Sequence, residues 1–325
     1  MDRRTFLRTV IFGALGGAHS AAAQQLKRLP AIGFLGVDPV IWGPWTQAFV
    51  DRLSTHGWID GKSVRLEFRW AKGQPALHAQ FANEFVKLRA DVIWAPGAAL
   101  AAVADATNST IPIVFVSNDA IATGLIKSLA RPSGNATGIS LQTNDTAIKR
   151  YELFRETLPN CRRLAVMTDA NFTQSLSEMY AIRNLAIQHR IECIPLEIHR
   201  TEDIRPAFDH ALRQRADALY VVINELLNAN RSLVLSSATE AKLPSMFGTH
   251  DWVRSGGLMS FGPNFPSLWA RTADMIDKIL RGTNPENIPV EQPTRFELVI
   301  NLKVAKELAI NIPPAVLSRA DDVIE

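Results

Sequence analysis

Short apolar runs alternate with segments of helical period along most of this 325-residue chain. An apolar run at 32–35 is followed by 44–57, where Trp45, Ala48, Phe49 and Leu53 recur at helical spacing. A turn at Asp60 and Gly61 leads into 64–70, in which Val64, Leu66, Phe68 and Trp70 alternate with charged residues, so a strand with one wet face is expected. Leu77, Phe81, Phe85 and Leu88 stripe a helix over 75–89; strands over 91–95 and 113–116 then flank a helix over 98–108. The second half runs alike, with helices expected over 146–158, 173–189, 204–215 and 226–241 and strands over 164–168, 192–198, 218–223 and 245–248. Strands that alternate with helices predict parallel sheets, because parallel neighbours need helical crossovers.

The two halves also resemble each other. AIGFL at 31–35 answers to RLAVM at 163–167, and ADVIW at 90–94 to ADALY at 216–220. IPIVF at 111–115 answers to LPSMF at 243–247, and ATGIS at 136–140 to GGLMS at 256–260. The last quarter departs from this repeat. It predicts a helix over 265–281 with Leu268, Thr272, Met275 and Ile279 on one face, a proline-punctuated stretch over 285–293, a strand over 296–301 and a helix over 302–309. We read this tail as crossing between the halves, which makes three connections. The expected fold is α/β: two doubly wound parallel-sheet lobes, one from 27–141 plus 263–295 and the other from 142–262 plus 296–325, joined by a three-segment hinge. Two similar lobes suggest a clamp for a small molecule.

The N-terminus places Arg3, Arg4 and Arg8 before a weakly apolar stretch and three alanines at 21–23. A basic start, a short apolar middle and small residues make a secretory signal, and the adjacent arginines point to the twin-arginine route, with cleavage after Ala23. Against 35 Lys+Arg and 32 Asp+Glu in the chain, residues 1–23 carry three arginines and one aspartate. The mature protein is therefore nearly neutral, which leaves no nucleic-acid or membrane-surface footprint. No insertion into the membrane is expected after cleavage, and the protein is read as a monomer. Cys161 and Cys193 fall near the starts of neighbouring strands. They are either bonded in an oxidising compartment or two separate packed thiols.

In doubly wound sheets, ligands sit outside the carboxyl ends of the strands. That rule selects the loops carrying Gly36, Asp38 and Trp42; Gly97 and Ala98; Asn118 and Asp119; and Leu141 at the end of the first lobe's last strand. In the second lobe it selects Asn171, Glu225, Asp251 and Phe261. Gly97 and Ala98 open a helix whose free N–H groups suit a carboxylate. Asp119, Glu225 and Asp251 are candidates for a ligand ammonium, and Trp42 and Phe261 for stacking. Trp45 shares helical spacing with Phe49 and is assigned to the core, as Trp70 and Trp94 are to sheet packing. His250 beside Asp251 lacks a nucleophile elbow, the other histidines lack metal-ligand spacing, and Gly33 and Gly36 do not form a dinucleotide loop. No catalytic residue, metal or cofactor is therefore assigned.

The segments 257–264 (GLMSFGPN), 289–303 (PVEQPTRFELVINLK) and 319–325 (RADDVIE), with 61–71 and 128–140, resemble the periplasmic substrate-binding proteins of ABC transporters. The likeness is to the branch that includes tryptophan- and tyrosine-type binders, and it covers the mature chain. It implies a type I periplasmic-binding fold with ligand in the cleft, an amino acid or an aromatic or heterocyclic carboxylate as solute, and a membrane permease as partner. Where relatives usually carry a hydroxyl after the third strand, this chain has Gly97, Ala98 and Ala99; where many have Gly-Asp-Pro, it has Asn118, Asp119 and Ala120. The alternatives are a ligand sensor feeding a membrane kinase or chemoreceptor, and a secreted Rossmann-like enzyme.

Overall fold

Val92, Ile93, Trp94 and Ala95 are all fully buried, as a central strand covered by helices on both faces requires. The computed structural model describes residues 28–325, apart from 109, 123, 133 and 142 and the side chain of 144. The expected export signal at 1–23 lies outside the described residues. The first lobe runs β1 (Ala31–Gly36), α1 (Gly43–Thr55), β2 (Arg65–Trp70), α2 (Ala76–Lys87), β3 (Val92–Pro96), α3 (Leu100–Thr107), β4 (Ile113–Ser117) and β5 (Ala136–Ser140). The second runs α4 (Thr143–Thr157), β6 (Arg163–Asp169), α5 (Thr173–Gln188), β7 (Glu192–Ile198), α6 (Ile204–Arg213) and β8 (Ala218–Val221). It continues through α7 (Glu225–Ala229), α8 (Arg231–Glu240), β9 (Ser245–Phe247), α9 (His250–Arg254) and β10 (Met259–Pro263).

The first sheet has the order β2-β1-β3-β4-β5, and the repeat strands of the second have the order β7-β6-β8-β9-β10. Strand for strand these are one topology, so the two halves repeat in space as well as in sequence. The tail then returns to the first lobe as α10 (Phe265–Leu280), which packs along α1. Asn264 caps it by accepting the Ser267 N–H at 2.9 Å, and Pro266 sits in its first turn, where a missing N–H costs nothing. The chain crosses again into β11 (Phe296–Asn301), α11 (Leu302–Glu307), α12 (Pro314–Leu317) and β12 (Asp322–Ile324). Strand β11 runs antiparallel to β10, which departs from the expected all-parallel lobes. It arrives from the other lobe and not through a crossover helix, so nothing imposes the parallel direction.

Two further details differ from the sequence reading, and the cysteines take one of its two alternatives. The helix expected over 226–241 breaks at Asn230, whose Nδ2 donates to the Leu226 carbonyl at 2.9 Å and so competes with the helical ladder. Every residue of β2 is half-buried, because it is an edge strand and neither face is wholly wet. Cys161 and Cys193 are free thiols packed at the second lobe's core, where burial pushes both up to about 11.

Aromatic rings fill the first lobe. Phe34 stacks on Trp94 with centroids 4.3 Å apart, and Trp94 meets Trp269 of α10 at 5.0 Å. Trp269 in turn meets Trp42 at 5.3 Å and Trp45 at 5.1 Å. Each buried ring contributes on the order of 2–3 kcal/mol through area removed from water. The cluster fixes α1 and α10 beside the carboxyl ends of the strands.

Candidate binding cleft between the lobes

A cavity of about 260 Å³ lies between the lobes at the carboxyl ends of both sets of strands. It falls near the lower end of the roughly 300–1,000 Å³ range of small-molecule sites. Its two walls differ in kind. The first lobe supplies Trp42, Trp45, Phe265 and Trp269, with the polar His78 and Asn118. The second supplies most of the polar side chains, Thr146 and Arg150 from α4, Asp169 and Asn171 after β6, and Asn224 and Glu225 at the start of α7, beside the apolar Phe172, Ile223 and Leu226. A solute with one apolar face and one polar head matches this arrangement.

Local structure explains each position. Trp42 precedes α1, so its ring turns inward against Trp45, Trp94 and Trp269. Phe265 and Trp269 stand four residues apart on α10 and therefore share a face. Thr143, Thr146 and Arg150 do the same on α4. Asn224 caps α7 by accepting the Leu227 N–H at 2.8 Å, which fixes Glu225 in the first turn.

Arg150 is 3% exposed. Its Nη1 donates to Glu178 Oε1 at 2.7 Å and to the Tyr220 hydroxyl at 2.8 Å, while Nε donates to the Phe261 carbonyl at 2.8 Å. Tyr220 closes the triangle by donating to Glu178 Oε1 at 2.8 Å. Burial opposes the charge on Arg150, but Tyr220 and Glu178 outweigh it and raise the guanidinium above its ordinary value. The Tyr220 phenol is pushed well up by the same burial. Gly248 makes room for the group, since a Cβ there would stand 2.5 Å from Ile223 Cδ1 and 2.9 Å from Arg150 Nη2.

The lobes meet across the cleft. Trp45 Nε1 donates to Asp251 Oδ2 at 2.8 Å, and His78 Nε2 lies 3.2 Å from Glu225 Oε2. Gly73 also approaches α7 closely, since a Cβ there would be 3.2 Å from the Ala229 methyl. This is a closed arrangement of the clamp.

Of the residues selected from sequence, Trp42, Gly97, Ala98, Asn118, Leu141, Asn171 and Glu225 come together on the cavity wall. The others lie elsewhere. Gly36 sits beneath Trp70, whose ring leaves no room for a Cβ. Asp38 accepts the Val40 and Ile41 N–H groups of its own loop, at 2.8 and 3.1 Å. Asp119 does likewise with Ile121 and Ala122, both at 3.0 Å, and faces an outer groove beside the cavity. Asp251 is taken by Trp45, and Phe261 stacks on Phe296 at 5.9 Å. Gly97, Ala98 and Ala99 form a short 3₁₀ turn ahead of α3 instead of its first turn. Sequence reasoning reached the loop of Asp169 and Asn171 but did not single out Arg150, Glu178, His78, Phe265 and Trp269. The available signal was the i, i+4 pair on α10 and the i, i+3, i+7 set on α4.

The chain is similar to several known proteins. A tyrosine-binding protein of Clostridioides difficile (strain R20291) is 25% identical over 263 residues, which span 81% of this chain and 75% of the relative. The structure of a conserved domain protein from Vibrio cholerae has a TM-score of 0.85 at 27% identity, over 91% of this chain and all of that one. An ABC domain from Streptococcus pneumoniae in complex with L-Trp has a TM-score of 0.83 at 26% identity, over 91% of this chain and 100% of the other. Residues 45–324 match the family described as ABC transporter substrate binding protein, and the chain belongs to that family, with the type I periplasmic-binding fold.

Proposed function

We propose that this protein is the extracytoplasmic receptor of an ABC importer for a small aromatic solute, with an aromatic amino acid as its first candidate. The carrying observation is the split between walls: rings of Trp42, Trp45, Phe265 and Trp269 face Arg150, Asp169, Asn171 and Glu225 across a cavity of about 260 Å³. Ring stacking gives the aromatic part its place, and the polar wall takes the head group. Relatives described as tyrosine-binding and as bound to L-Trp support this choice of solute. Closure follows from ligand contacts to both lobes, because a ligand shifts the hinge only by its preference for the closed form. A membrane permease is the partner that accepts the solute, and a monomer is the acting form. Residues 1–23 support export to the periplasm with cleavage after Ala23, which N-terminal mass analysis of the exported protein checks. Calorimetry and thermal shift across the amino acids and aromatic carboxylates test the solute. No binding by any aromatic member rejects the reading.

A further inference from the structure

The polar wall carries more negative than positive charge. Arg150 is matched by Glu178, to which Nη1 donates at 2.7 Å. Asp169 and Glu225 remain, and His78 is the other basic side chain on the lining. His78 meets only Oε2 of Glu225, at 3.2 Å; Oε1 is buried and has no hydrogen-bond partner among the described residues. Asp169 receives both its hydrogen bonds on Oδ1, from the backbone N–H of Asn171 at 2.9 Å and its side-chain amide at 3.1 Å. Burial first, and the charge of Glu225 in addition, raise the Asp169 carboxyl against those two bonds. Two carboxylates turned toward one enclosed space repel each other and lose water, a cost that a cation between them removes.

Provision for an anion is thinner. Gly97 and Ala98 bring no side-chain hydroxyl to the first lobe's wall. Arg150 Nη2 has no partner among the described residues, but its charge is already balanced by Glu178.

Resting on the aromatic-solute reading above, we propose that the cleft recognises its ligand by a cationic amine held by Asp169 and Glu225, and that the ligand's carboxylate is dispensable. Arylalkylamines then share the site with aromatic amino acids, whereas aromatic carboxylates without an amine do not. Three indoles that differ by one group each test this on the intact mature protein by calorimetry: tryptophan, tryptamine and 3-indolepropionate, with the matching phenols run in parallel. Tryptamine is expected to bind within about tenfold of tryptophan, and 3-indolepropionate at least ~30-fold more weakly. Glu225→Gln and Asp169→Asn are each expected to weaken tryptamine at least ~10-fold and to narrow the gap to 3-indolepropionate. The assignment is overturned if 3-indolepropionate binds as tightly as tryptophan, or if tryptamine fails where tryptophan binds. Those outcomes leave the aromatic-solute reading standing; failure of every indole and phenol rejects that reading and the amine assignment with it.

Discussion

Trp45 and Asp251 are 206 residues apart in sequence and belong to different lobes, yet the indole N–H of one donates to the carboxylate of the other at 2.8 Å. Separation of the lobes in the proposed hinge motion would break this bond, so it is expected to stabilise the closed form. Trp45→Phe retains a ring against Phe265, 4.6 Å away in the native stack, and removes the donor. A hydrogen bond to a charged group is worth about 1.5–3 kcal/mol, of which water recovers part when the cleft opens. Ligand affinity is therefore expected to fall roughly five- to thirty-fold, with little change in unfolding midpoint. Scattering at saturating ligand should still show closure. Unchanged affinity in the variant would mean that the contact adds nothing to closing.

The group formed by Arg150, Glu178 and Tyr220 gives a different expectation. All three are nearly inaccessible to water, so Arg150→Met leaves a carboxylate in a dry interior without its partner. Such a loss costs about 3–5 kcal/mol, whereas exchanging both charges for apolar groups is often close to neutral. Urea unfolding of Arg150→Met, Glu178→Met and the double variant forms a cycle that isolates the coupling. The double variant should be more stable than Arg150→Met alone. Additive losses would contradict the pairing.

What the sequence made legible follows from what each signal encodes. Alternating periods and four matched segments carried the two parallel sheets and their likeness, because parallel strands need helical crossovers, whereas the order of the strands came from the structure. The strand-end rule selected Trp42, Asn118, Asn171 and Glu225, and all four line the cavity. It also selected Asp38 and Asp119, which lie off the cavity wall, because a loop aspartate can satisfy its own backbone and only geometry distinguishes that from an aspartate facing the cavity. Arg150 was invisible to it, since the residue lies two turns inside α4 and reaches the cleft by its length. Trp269 was hidden differently: its i, i+4 spacing from Phe265 puts the two on one face of α10, but the docking of that face against α1 is a long-range fact that no local period carries.

Acid should weaken the first lobe through Asp274. Burial alone would raise this carboxyl, but hydrogen bonds from Arg52, His56 and Arg271 outweigh it and hold the group down at about 2. The unfolded chain binds the same proton near the ordinary aspartate value of about 3.9. Between roughly pH 4 and 2 the unfolded state therefore carries more protons, and stability falls as pH falls. Above that window the contribution is complete. With partners reaching into solvent it amounts to about 1–2 kcal/mol. Asp274→Asn should lose that much at neutral pH, and its gap to the native protein should close by about pH 2. A gap independent of pH would assign the loss to packing instead.

Trp42 touches the cavity and the core at once, so the choice of substitution decides what is learned. It is 4% exposed, with Trp45, Trp94 and Trp269 all within 5.9 Å between ring centroids. Trp42→Ala would cost about 3–5 kcal/mol of stability, and weakened binding could then reflect a collapsed wall. Trp42→Phe is the cleaner change, because Nε1 has no hydrogen-bond partner among the described residues and its loss strands nothing. The matched control is Trp94→Phe, in the same cluster but off the cavity wall, where the donor bond to Thr272 at 3.0 Å is lost. If Trp42 supports the ligand's ring, Trp42→Phe should weaken binding several-fold with a small shift in unfolding midpoint. Trp94→Phe should do the reverse, lowering the midpoint more and leaving affinity nearly intact. Equal effects of the two on binding would mean that Trp42 acts on the ligand only through the core it shares with Trp94.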